Sequence, residues 1–161
     1  MASLNRETQL KKLMDAGVDK AVGSVLVNLN ADFDELVALG TDEQFQKLLT
    51  EVVNWMKVIL ADDWRAFVYV QTRLMPLVDE RPAQERLLEL MVMICRDLIL
   101  LRYHQDDEVA FITEKKMLAQ AAEQIPASQL TKGVELVMNC WNQLAVNVSY
   151  QNVLELSLIH I

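Results

Sequence analysis

The feature that most restricts this chain is the stretch from Leu87 to Leu101, in which nearly every residue is apolar. Its charges, Glu89, Arg96 and Asp97, share one narrow stripe with Glu85 and Arg86 when the segment is wound at about 100° per residue. A helix apolar around the rest of its circumference is stable only when other helices enclose it. The segment, opened by Pro82, therefore predicts the central helix of an all-α bundle. Composition agrees. The 52% hydrophobic and 24% charged residues mark a folded chain. Four glycines and three prolines are too little turn chemistry for a sandwich or barrel of many short strands.

Helical spacing recurs along most of the 161 residues. It predicts helices over about 6–15 and 18–28, separated by Gly17, and a brief one near Asp34–Leu39 closed by Gly40 as a C′ residue. Thr41 and Gln44 have capping-box spacing and mark the next helix start. That helix aligns Phe45, Leu48, Val52, Trp55 and Met56 on one side. Asp62 and Asp63 can cap the following one, which carries Trp64 and Phe67 and is kinked or ended by Pro76. Residues 103–112 read as a polar connection, and further helices are expected over about 113–125, from Pro126, and from about Ser149. The natural boundary falls near Gly40. Residues 41–161 form the bundle, while residues 1–39 are a short helical piece too small to be an independent domain, as though left from a preceding one.

The formal charge is −8, and neither half is basic: eight Lys+Arg face thirteen Asp+Glu in residues 1–80, seven face ten in residues 81–161. Strong binding of nucleic acid or anionic lipid through phosphates is therefore not expected. Cys95 and Cys140 lie in apolar helical contexts and read as reduced core thiols. Residues 1–12 lack the apolar block of a secretory signal. Residues 136–154 are uncharged, but Asn139, Asn142, Gln143, Asn147, Gln151 and Asn152 are too many amides for a membrane span. A cytoplasmic chain is the expectation.

Catalytic and ligand-binding patterns are absent from the sequence. His104 and His160 are the only histidines, and neither stands in a Glu-x-x-His or His-Glu-x-x-His motif, so no metal site is expected. The four scattered glycines make no phosphate loop, so no cofactor is expected. The acidic pairs at Asp62-Asp63, Asp79-Glu80 and Asp106-Asp107-Glu108 suit helix capping and solubility. The informative polar residues are those in apolar surroundings: Arg96 and Asp97 in the central helix, and Asn139, Asn142, Asn147 and Asn152 near the end. A buried charge or amide needs a partner. Arg96 or Asp97 is satisfied by another helix of the bundle or by a partner subunit; otherwise the shared stripe faces water.

The segment from Gln84 to Arg102, with its Arg96-Asp97-Leu98-Ile99-Leu100 run, resembles a signature of bacterial clamp-loader subunits. In that family a hydrophobic helix ending in Arg-Asp-Leu-Leu-Leu precedes a polar gap, two helices and a terminal Asn-Val-Asn-x-x-Leu-x-Leu-Glu stretch. Here that stretch is Asn147-Val-Ser-Tyr-Gln-Asn-Val-Leu-Glu155, with Ser149 where the second asparagine is usual and Val153 near a usual leucine. Order and spacing look like the C-terminal collar domain of the δ′ type of DNA polymerase III subunit over about residues 41–161. Residues 1–39 then resemble the end of the small helical lid that precedes the collar. The resemblance implies a non-enzymatic oligomerisation role, with δ and γ/τ subunits as partners and no direct contact to nucleic acid or membrane. It also implies an ATPase module upstream of Met1. Candidate interface or buried polar residues are Arg96, Asp97, Trp141, Asn147, Tyr150 and Asn152. Competing readings are a free-standing helical adaptor that takes a partner helix in a groove, and a small helical enzyme with dispersed site residues.

Overall fold

The computed structural model describes residues 2–60, 75–78, 80–132 and 135. Over those residues the chain is all-helical, with no strand. Among the described residues the main α-helices are α1 (Ala2–Asp15), α2 (Lys20–Leu26), α3 (Phe33–Thr41), α4 (Glu43–Leu60), α5 (Arg81–Arg102) and α6 (Lys115–Gln124). Short 3-10 turns cover Met75–Leu77 and Asp106–Glu108, and the chain is helical again over 127–132. The helices expected around Trp64 and Phe67 and from Ser149 lie outside the described residues.

Local chemistry sets most of the boundaries. At the end of α1, Gly17 has φ +95°, its amide donates to Met14 and the Val18 amide donates to Leu13. These two bonds form a Schellman motif, and Val18 packs into the core beside Leu13, as that motif favours. Asp19 accepts from the Ala21 amide to start α2, and Asp32 from the Glu35 amide to start α3. Pro82 sits in the first turn of α5, where its missing N–H costs nothing. The end of α5 repeats the Schellman pattern: the His104 amide donates to Leu101 and the Gln105 amide to Leu100. There, however, the left-handed position is held by His104, at φ 59°.

The joint between α3 and α4 differs from the sequence expectation. Gly40 is not a cap; it is buried inside α3, where a Cβ would come within 2.7 Å of Val18 Cγ2 and 3.3 Å of Leu26 Cδ1. The glycine is there for close approach of α3 to α2 and the α1–α2 turn. Nor does Thr41 cap α4, since its hydroxyl donates back to the Val37 and Ala38 carbonyls. Asp42 takes that role, accepting from the Gln44 amide at 3.0 Å. The two helices are thus joined by one extended residue, Asp42, at φ −82°, ψ 119°.

One apolar cluster runs through the described residues from Leu13 to Leu130. Helix α5 packs against α4 and α6 and buries Leu87, Leu90, Met91, Ile94 and Leu98. It is the enclosed helix of the bundle. Its exposed edge is mixed rather than charged: Glu85, Val92 and Ile99, seven residues apart, face outward. The charged stripe lies beside this edge, and only part of it reaches water. The connection after α5 is not wholly polar either, because Val109, Ala110 and Phe111 turn into the core.

Candidate functional site

Asp97 is fully buried among the apolar residues of α5. Its carboxylate accepts from the Ala110 amide at 3.1 Å through both oxygens, and from the Phe111 amide at 2.9 Å. Two loop amides thereby gain a partner, and the Val109–Phe111 turn is pinned against α5. Burial pushes the Asp97 carboxyl above its ordinary range, while the Phe111 and Ala110 amides and the Arg96 charge pull it part of the way back. Next to it, half-buried Arg96 donates to Asn28 Oδ1 at 2.7 Å and to the Glu108 carbonyl at 3.1 Å. Both residues therefore find partners within the chain. Those of Asp97 are backbone amides of the following loop, and those of Arg96 lie in that loop and in the turn after α2.

The same side of α5 makes further polar contacts with the α2–α3 region. Arg86 donates to Glu89 at 2.9 Å and to Glu35, in the first turn of α3, at 3.3 Å. Glu89 accepts from the Asn30 amide at 3.3 Å. Asn28 is itself oriented by its Nδ2, which donates to the Ser24 carbonyl at 2.9 Å. Arg86, Glu89 and Arg96 thus form a ladder along α5 that grips residues 28–35. At the far end of α5, Arg102 donates to the Ala122 and Ile125 carbonyls and caps the end of α6.

Between α2 and α4 lies a cleft of about 280 Å³, closed at one end by the loop that Asp97 pins. Val22 and Val25 line one wall, Leu49 and Val53 the other, with Phe111 and Ile112 from the loop. Lys57 and Glu114 also border it. No group of three His, Cys, Asp or Glu among the described residues could hold a metal ion. Thr50, Asn54 and Thr113 share the lining of the cleft with these apolar side chains, so the recess is mixed in character.

Comparison with known proteins gives one direction. The chain is 23% identical over 144 residues to DNA polymerase III subunit delta′ of Bacillus subtilis (strain 168). The match covers 89% of this chain and 44% of the relative, so the chain spans less than half the length of that protein. No family model matches, and no solved structure matches significantly. The similarity to delta′ is distant.

Of the residues singled out in sequence, Arg96 and Asp97 are brought together with the 106–111 loop, whereas Trp141, Asn147, Tyr150 and Asn152 lie outside the described residues, as do Cys140 and His160. Cys95 is free and half-buried, and burial pushes its thiol up to about 11, which keeps it protonated at neutral pH. His104 is exposed. No helix among the described residues is long and apolar enough to cross a membrane. Sequence reasoning missed Asn28, Glu35 and the Val109–Phe111 turn. A signal for the last was present: a lone acid on an apolar helix demands donors, and a short apolar run follows within a polar connection.

Proposed function

We propose that this chain is a non-catalytic oligomerisation piece of a bacterial clamp-loader subunit of the delta′ type. In this reading residues 41–161 are a collar-like helical bundle, and residues 1–39 are the end of the helical lid that precedes it. The bundle packs with the corresponding domains of δ and γ/τ subunits, in the cytoplasm, and so supports loading of the sliding clamp in DNA replication. The single observation that carries this is the similarity to delta′ along 89% of the chain. The all-helical fold with an enclosed α5 and the net charge of −8 support it, since a collar makes protein contacts rather than phosphate contacts.

The experiment is size-exclusion chromatography with light scattering on this chain, alone and mixed with the C-terminal domains of δ and γ/τ from the same organism. A defined mixed complex at tens of micromolar supports the collar reading. Its absence moves the helical adaptor ahead, a reading that the cleft between α2 and α4 favours because a partner's apolar side chains fit such a recess.

A further inference from the structure

The ladder on α5, the joint at Asp42 and the cleft between α2 and α4 belong to one mechanical arrangement. Helices α1, α2 and α3 pack on one another, and Gly40 lets α3 press directly on Val18 and Leu26, so they form a single arm. The arm continues into α4 through the one extended residue Asp42. Near that joint α3 and α4 are packed together. Farther along, the seam between α2 and α4 is open, as the cleft of about 280 Å³. Across from the joint, the arm is held to α5 by polar side chains: Glu35 to Arg86, the Asn30 amide to Glu89, and Asn28 to Arg96. The arm shares the apolar cluster with α4 and α5, but along this seam an open recess and polar bridges stand in place of packing, so the seam has less burial to hold it than a fully packed one.

We propose that α1–α3 is a hinged arm that turns about Asp42, and that Arg86, Glu89 and Arg96 are the latch that holds it closed over the cleft. One rung of the latch, Arg86–Glu35, is a partly solvated ion pair, its side chains 17% and 53% exposed, while Arg96–Asn28 and Glu89–Asn30 are hydrogen bonds to neutral groups. Salt therefore weakens that one rung, whereas the apolar packing of α5 with α4 and α6 is not weakened by screening. Opening widens the recess between Val22 and Val53 and uncovers its walls. The arrangement rests on contacts within this chain and does not depend on the clamp-loader reading.

Hydrogen–deuterium exchange on the full 161-residue chain tests it, comparing wild type with an R86Q/R96Q double variant at low salt and at about 1 M sodium chloride, where the screening length is about 3 Å. Amides of α2 and α3 are expected to exchange on the order of tenfold faster in the double variant, with α5 and α6 unchanged. High salt should move wild type part of the way toward the variant, by loss of the Arg86–Glu35 pair, while leaving the variant itself little altered. An R86K/R96K pair, which keeps the charges, should recover part of the protection. Equal acceleration in α2, α3, α5 and α6 would show a general loss of stability and overturn the latch. So would wild-type protection of α2 and α3 that ignores salt, a measurement that does not depend on any variant folding.

Discussion

Asp97 is a buried acid whose cost is offset in part, by backbone amides more than by a cation. Truncating it leaves the Ala110 and Phe111 amides without acceptors inside the core, so Asp97→Ala should destabilise the chain by about 3 kcal/mol, read by urea denaturation. Its pH dependence has a definite sign. Because the folded carboxyl is raised, its stabilising contribution is fullest below the ordinary carboxylate range and is lost as pH rises through the folded value. The penalty of Asp97→Asn relative to wild type should therefore be larger near pH 4 than near pH 7; a smaller penalty near pH 4 would mean the amides outweigh burial, and an equal one that the two balance. His104 presents the opposite case, an exposed side chain in a left-handed backbone that has no need of it. His104→Gly should relieve that conformation and raise stability by about 0.5–1 kcal/mol, after allowing for the extra freedom glycine has when unfolded. A lower melting temperature for this variant would mean that the imidazole makes a contact worth more than the strain.

Among the elements, α3 shows two effects of one substitution in opposition. Gly40→Ala gains helix propensity, about 1 kcal/mol. It also places a methyl 2.7 Å from one Val18 methyl and 3.1 Å from the other. Val18 is β-branched, buried and fixed by the Schellman turn at the end of α1, so it cannot swing aside cheaply. Overpacking of about 1–3 kcal/mol then exceeds the propensity gain, and Gly40→Ala should lower the thermal midpoint. Helix α5 behaves differently. Its apolar run made it recognisable as the enclosed helix, because a segment with so little polar surface has nowhere else to go. What the run concealed was how its charges are used. Winding the sequence groups Glu85, Arg86, Glu89, Arg96 and Asp97, yet Glu85 is exposed, Asp97 is sealed in the core and the other three grip residues 28–35 or the following loop.

For the whole molecule, charge decides one class of partner. With 23 acidic and 15 basic residues, a phosphate backbone meets net repulsion and little counterion release. Fluorescence anisotropy of a labelled primed-template oligonucleotide should stay flat as this chain is added to tens of micromolar at physiological salt; a salt-sensitive rise would reveal a basic face that the totals hide. The helical class and the central place of α5 were readable because periodicity and burial are properties of neighbouring residues. The spacing also gave the α4 stripe of Phe45, Leu48, Val52, Trp55 and Met56, now buried or nearly so. Arg96 and Asp97 stood out for the same local reason, as charges in an apolar run. Their partners did not. Asp97 reaches amides 13 and 14 residues away, and Arg96 reaches Asn28 across 68. Gly40 could be a cap or a contact point by sequence alone, and only the approach of Val18 decides it. Periodicity alone marks the described helices and the enclosed place of α5. What each buried charge and glycine touches is set only on packing, because those contacts depend on angles between helices that no single segment specifies.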